Sequence, residues 1–203
     1  MKPGAALSPS NPGVETQREA QALLLERCRA GDTRAFEALV EEHQDRAYAL
    51  ALRIVRSVPD AEEVAQDAFV KAWLSIREFR GESGFGTWLH RIVVRRALDR
   101  AESLRARGAR EERLDSDREV GTGAAASEPQ PSASRSPGIE RLMDTLSPLQ
   151  RAALTLHYYE DRSVSEIALL LDLPEGTVKT HMNRGRAALR LAWTRAERAE
   201  RKP

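Results

Sequence analysis

Residues 163–190 read SVSEIALLLDLPEGTVKTHMNRGRAALR, and this stretch decides the fold. Val164, Ile167, Ala168 and Leu171 fall on one face of a short helix. Asp172-Leu173-Pro174 break it, and Pro174-Glu175-Gly176 restart a second helix. In that second helix Val178, Met182, Gly185 and Leu189 form a single inward stripe at helical spacing. At about 100° per residue, Lys179, Thr180, Asn183 and Arg184 take the opposite, outward half. Two short helices with a tight turn, the second carrying polar and cationic residues outside, predict a helix-turn-helix that enters a major groove. Arg and Lys pair with guanine edges and Asn with adenine. An ordinary helical hairpin with a wetted face is the bland alternative.

Working outward, the helical signals continue on both sides. Ser163 with Glu166, and Ser147 with Gln150, are capping boxes, the latter with Pro148 at the first helical position. Upstream, residues 121–138 (GTGAAASEPQPSASRSPG) contain no Val, Ile, Leu, Met or aromatic residue. Such a segment buries nothing to offset its chain entropy, so 108–138 is expected to be a linker. Before it, Phe36, Leu39, Val40, Tyr48, Leu52, Val64, Ala68, Phe69 and Trp73 recur at helical intervals. Asp32, and Pro59-Asp60 ahead of Glu62-Glu63, mark helix starts. The predicted class is all-α: a disordered tail at 1–19, a helical domain at 20–107, the linker, a helix-turn-helix domain at 139–195 and a tail at 196–203. There is no internal repeat.

Composition sets limits. The chain has 203 residues, 41% hydrophobic and 31% charged, and its 32 basic and 31 acidic residues leave a net charge of +1. No apolar run approaches a membrane span of about 18 residues, and MKPGAALSPSNPG has no apolar signal core, so a cytoplasmic protein without membrane insertion is expected. The single cysteine, Cys28, excludes an internal disulfide and a CxxC zinc site. His43, His90, His157 and His181 lack metal spacing; there is no phosphate-binding glycine loop and no nucleophile motif. No cofactor, no metal and no catalytic activity are expected. The near-neutral total hides segregation. Residues 23–76 carry ten acids against seven bases, 77–107 eight arginines against four acids, and 174–203 eight bases against three acids. One acidic face and two basic stretches suit two nucleic-acid contacts and a separate partner surface.

At these residues the chain resembles the bacterial sigma-70 factors. LSPLQRAALTLHYYEDRSVSEIALLLDLPEGTVKTHMNRGRAALR at 146–190 is similar to region 4. GDTRAFEALVEEH at 31–43 looks like region 2.1, DAEEVAQDAFVKAW at 60–73 like region 2.2, and FRGESGFGTWLHRIVVRRALD at 79–99 like regions 2.3–2.4. With no room for a third folded domain, the layout resembles the extracytoplasmic-function (ECF) group.

The resemblance implies an RNA polymerase sigma factor that brings core polymerase to promoters, and it implies site residues. Core polymerase binding falls on Asp60, Glu62, Glu63, Gln66, Asp67, Phe69, Val70 and Trp73, although Phe69 and Trp73 at i, i+4 fit a core stripe as well. Single-stranded −10 DNA falls on Arg77, Phe79, Arg80, Ser83, Phe85, Trp88, Arg91, Arg95 and Arg96. There cations hold phosphates and aromatic faces stack unpaired bases, although Phe79, Phe85 and Trp88, each taken singly, fit a core position better. Arg95 stands where many relatives have Asn. Double-stranded −35 DNA falls on Gly176, Thr177, Lys179, Thr180, Asn183, Arg184 and Arg186, the outward face derived above. An anti-sigma factor partner is implied by the resemblance alone. The alternative is a LuxR-type regulator, since Thr177-Val178-Lys179-Thr180-His181 also resembles that recognition helix; it needs a sensory domain upstream, and 23–107 shows no strand alternation.

Overall fold

A computed structural model describes residues 12–81, 83–118 and 137–200, and these are helical throughout apart from turns. The helices are α1 (Pro12–Arg29), α2 (Thr33–Val55), α3 (Val58–Ser75), α4 (Phe85–Arg118), α5 (Pro137–Asp144), α6 (Pro148–Tyr158), α7 (Val164–Leu171) and α8 (Glu175–Glu200), with a 3-10 turn at Ile76–Glu78.

The expected start signals act as read. Asp32 caps α2, its carboxylate accepting from the amides of Arg34 and Ala35 at 3.0 and 3.2 Å. Ser147 and Ser163 close reciprocal capping boxes with Gln150 and Glu166. Asp172 ends α7 in the left-handed region, φ 55, where Asp is tolerated. Three boundaries need correction. α1 begins at Pro12, inside the expected tail, because proline's fixed φ suits a first helical position. α4 runs to Arg118, past the expected linker start at 108, because its Arg, Glu and Ala residues are strong helix formers. α8 likewise runs past 195. Residues 1–11, 119–136 and 201–203 of the expected tails and linker lie outside the described residues.

In the first body α2 packs against α3 and α4, α3 against α4, and α1 against α2. Leu39, Leu50, Ile54, Phe85, Leu89, Val93 and Val94 are fully covered there, each worth about 1.5–3 kcal/mol by transfer. Cys28 is buried with them. Asp60 and Arg100 tie α3 to α4, with Arg100 also reaching Glu63 at 2.8 Å. In the second body α6, α7 and α8 pack around Leu154, Leu156, Ile167, Val178 and Met182. Tyr158 and Tyr159 of this body are more than half exposed, as is Trp193.

The two bodies are not independent. α6 rests on α2 and α4, and α7 on α4, so the buried residues form one continuous cluster. His90 lies in this region at 4% exposure. Burial drives its imidazole down to about 4, and the positive charges of Arg46 and Arg162 and the nearby His43 push the same way.

Two predictions follow from this packing. A Cβ on Gly185 would stand 2.9 Å from Leu154 Cδ1 and 3.4 Å from Gln150 Cβ, so Gly185→Val should cost about 1–3 kcal/mol, read as a lowered thermal midpoint. His90 stays neutral in the fold while the unfolded chain takes up its proton near the ordinary value of about 6.5. Stability should therefore fall as pH drops from about 6.5 towards 4, by up to about 1.4 kcal/mol per pH unit from this group. His90→Gln should flatten that slope in denaturant titrations at several pH values, even if it lowers stability at pH 7.

Candidate functional site

The helix-turn-helix presents the face that its periodicity implies. Val178 and Met182 are buried and Gly185 sits against α6, while Lys179, Thr180, Asn183, Arg184 and Arg186 are exposed. The Thr180 hydroxyl donates to the Gly176 carbonyl at 2.8 Å, and Lys179 Nζ lies 3.5 Å from Glu175. Gly176 is exposed and Thr177 half-buried in the first turn of α8; the Thr177 amide already donates to the Pro174 carbonyl at 2.9 Å, and the helix dipole there favours a phosphate.

The second basic stretch divides into an exposed and a covered part. Arg91, Arg95 and Arg96 stand on the outside of α4 and, with Lys71, Ile92 and Asp99, line a cavity of about 350 Å³. Arg77, Arg80 and Ser83 are exposed around the turn that precedes α4. Phe79 and Phe85 do not belong with them as base-stacking residues. They are 6% and 0% exposed. Their rings pack edge-on at 6.3 Å, Trp88 lies 4.9 Å from Phe79, and His43 covers Phe85. The hydrophobic payoff of burying two phenyl rings wins over their surroundings of arginine in sequence. They set the loop's shape and leave half-buried Trp88 as the aromatic edge nearest solvent. The Arg29 guanidinium donates to the Phe79 carbonyl at 2.6 Å and holds the loop from α1, a role with no signature in the motif. α4 starts at Phe85, so Gly84 takes the cap position, its carbonyl accepting from the Trp88 amide at 3.1 Å.

A third face lies on the opposite side of α3. An open groove of about 900 Å³ runs between α2 and α3. Phe36, Val40 and Tyr48 form one wall, and Phe69, Val70, Trp73 and Leu74 the other. Phe36 and Trp73 meet at 5.1 Å between centroids. Val70 and Leu74 are 53% and 73% exposed, an arrangement that core residues do not show. Glu37, Asp45, Glu62 and Gln66 supply a polar, mostly acidic rim. Asp67 is exposed on α3 beyond it. Asp60 is a correction. Its carboxylate is buried, and although burial alone would raise it, the Ser57 side chain and the Arg100 guanidinium hold it below the usual range. It is an internal strut rather than a partner contact, and Glu63 is shared with the same arginine. Phe36, Val40, Tyr48 and Leu74 are additions. The first three recur at helical spacing in sequence, and periodicity shows a stripe without showing what covers it.

Among the described residues no cluster of three or more His, Cys, Asp or Glu side chains could hold a metal, and no helix is long and apolar enough to cross a membrane. The chain is an assembly of three surfaces: two cationic and polar, one apolar with an acidic rim.

Comparison with known proteins agrees with this layout. Residues 39–107 match Sigma-70 region 2, and residues 138–189 match Sigma-70, region 4. The chain is 35% identical over 184 residues to the RNA polymerase sigma-H factor of Pseudomonas aeruginosa, covering 86% of this chain and 93% of that one. It is 37% identical over 170 residues to the ECF RNA polymerase sigma-E factor of Haemophilus influenzae (80% and 89% covered). It is 33% identical over 173 residues to the ECF sigma factor SigW of Bacillus subtilis (82% and 92%). Among solved structures, CnrH in complex with the cytosolic domain of CnrY shares the fold at a TM-score of 0.59, with 24% identity over 86% of this chain and 97% of that one. RpoE of Bartonella quintana, in complex with the anti-sigma factor NepR, shares it at 0.57, with 24% identity over 78% and 96%. Both halves of the chain thus carry the same ancestry in the same order, and it belongs to the sigma-70 family of RNA polymerase sigma factors, in the extracytoplasmic-function group.

Proposed function

We propose that this sigma factor divides its work among the three surfaces. The groove between α2 and α3 takes an apolar helical element of core RNA polymerase, with Phe69, Val70, Trp73 and Leu74 as anchors and Glu62 and Gln66 at the rim. Buried aromatic and aliphatic anchors inside a polar rim are the anatomy of a specific protein interface. Arg91, Arg95 and Arg96, with the edge of Trp88 and the exposed Arg77, Arg80 and Ser83, hold the unpaired strand of the −10 element. The outward face of α8 reads the −35 duplex through Lys179, Thr180, Asn183 and Arg184, with Gly176, Thr177 and Arg186 towards phosphates. The factor supplies no bond-making step; the polymerase does the chemistry, in the cytoplasm where core polymerase is found. An anti-sigma factor is a further partner, in keeping with the complex of the sigma factor RpoE with the anti-sigma factor NepR from Bartonella quintana.

The observation that carries this reading is the division along α8. Every residue of the inward stripe from Val178 to Gly185 is covered, and every polar residue of the proposed base-reading set is exposed. A helix designed only to pack does not need that cationic face. The upstream sensory domain that a LuxR-type regulator needs is not what precedes α8: residues 39–107 match sigma region 2.

Two substitutions separate the surfaces. Arg184→Ala should weaken binding to a −35 duplex by about 1–3 kcal/mol and relax preference at one base pair, measured by competition among single-base variants. Equal loss on every sequence would make Arg184 a phosphate contact. Val70→Asp, at an exposed position, should leave the helical circular dichroism and thermal midpoint intact but abolish co-elution with core polymerase. Retained co-elution would remove the groove from the polymerase interface.

A further inference from the structure

The loop that carries Arg80 and Ser83 is held at both ends, and both ties lead back to α2. At its far end the start of α4 rests on α2, since a Cβ on Gly86 would stand 3.3 Å from the His43 ring. At its near end the chain leaves the 3-10 turn through Phe79, whose backbone is extended at φ −68 and ψ 111, so helical hydrogen bonding stops there. The Phe79 carbonyl accepts from Arg29 Nη2 of α1 at 2.6 Å, across 50 residues of sequence. A bond from an ionised donor is shorter and stronger than a neutral one. The root of that arginine is fixed in turn. Leu25 and Cys28 of α1 are buried in the first body, and α1 packs on the 3-10 turn as well as on α2. Arg27 meets Asp32 at 2.7 Å, and Asp32 is the cap of α2. Gly31, at φ 92, makes the turn between them. Arg27 is thus occupied at the turn, and of the two arginines in the last turn of α1 it is Arg29 that reaches the loop.

Water satisfies a loop carbonyl at little cost, whereas ordering an arginine costs rotamer freedom. The consequence of the arginine is therefore positional. Arg80 follows Phe79 directly in the chain, and Trp88 lies 4.9 Å from the Phe79 ring. A shift of Phe79 moves a proposed phosphate ligand and the aromatic edge nearest solvent together. We propose that Arg29 is a positioning residue for recognition of the −10 strand, acting through the Phe79 carbonyl on Arg80 and Trp88. The inference rests on the −10 reading given above. It adds to the DNA-binding apparatus a helix that precedes the residues matching Sigma-70 region 2, which begin at residue 39. Recognition groups work only when held within about 0.5 Å of their productive places, so a tie of this kind acts on preference among sequences more than on binding itself.

The test compares full-length wild type and Arg29→Gln, each bound to sigma-free core polymerase, on labelled single strands. One strand carries the −10 sequence that the wild type selects from a randomised library, the other a scrambled sequence. Arg29→Gln should reduce the preference for the matched strand about tenfold, the loss expected of one charged hydrogen bond. Binding of the scrambled strand, affinity for a −35 duplex and helical circular dichroism should stay as in the wild type. Arg29→Lys, which keeps the charge and a donor, should fall between the two. An unchanged preference in Arg29→Gln would overturn the proposal. So would equal loss on both strands, which would make Arg29 a phosphate contact or a general prop of the fold. If the wild type itself prefers neither strand, the −10 reading fails, and amide exchange at Phe79, Arg80, Ser83 and Gly84 decides the tie alone. Arg29→Gln should speed that exchange about tenfold while the interiors of α2 and α4 keep wild-type protection; equal exchange would refute it.

Discussion

The distance between α8 and α6 constrains the rest of the second body. Gly185 leaves no space for a side chain against Leu154, so the two helices close to near backbone contact at that point. The close approach fixes the rotation of α8 about its axis, and rotation decides which residues meet DNA. With Val178 and Met182 driven inward on the same stripe, Lys179, Thr180, Asn183 and Arg184 have only the outward half left. A comparable contact occurs in the first body, where a Cβ on Gly86 would stand 3.3 Å from the His43 ring and the start of α4 presses on α2. That contact sets the loop before α4, and Phe79, Phe85 and Trp88 then lock it through ring packing.

Electrostatics follows the same economy. Acidic residues collect on α2 and α3 and arginines on α4 and α8, so opposed partners address opposed faces. Where the two signs meet inside the first body they are used structurally, as in the Asp60–Arg100 pair that joins α3 to α4. A side chain tied in this way is lost to recognition, which is why charge alone does not identify a contact residue. The arginines between the bodies differ again. They bind carbonyls, carboxylates and a ring across the two bodies, and so add polar ties to the apolar packing there.

Much of this was legible in the sequence, and the exceptions share a cause. Both capping boxes, the Asp32 cap, the break at Asp172 and the inward stripe of α8 depend on residues within a few positions of each other, and local patterns encode them. Flanking arginines place Phe79 and Phe85 in a DNA-binding pattern in sequence, whereas in space they face each other and His43 and take the core alternative. Asp60 looked like a rim acid because its partner is 40 residues away. Phe36, Val40 and Tyr48 recur at helical spacing, but periodicity reports that a stripe is apolar and says nothing about whether a neighbour covers it. The packing of the bodies on each other left no pattern at all. An arginine that caps a distant helix end through its backbone carbonyl asks for no particular side chain there.

The most direct measurement of the central claim is in vitro transcription from a randomised promoter library, using sigma-free bacterial core polymerase with and without the full-length chain. The account requires transcripts that start only when the chain is added and that share a −10 sequence and a −35 sequence at fixed spacing. Tight, sequence-specific DNA binding by the free chain with no new transcripts would contradict it, and so would initiation from templates that share no spaced pair.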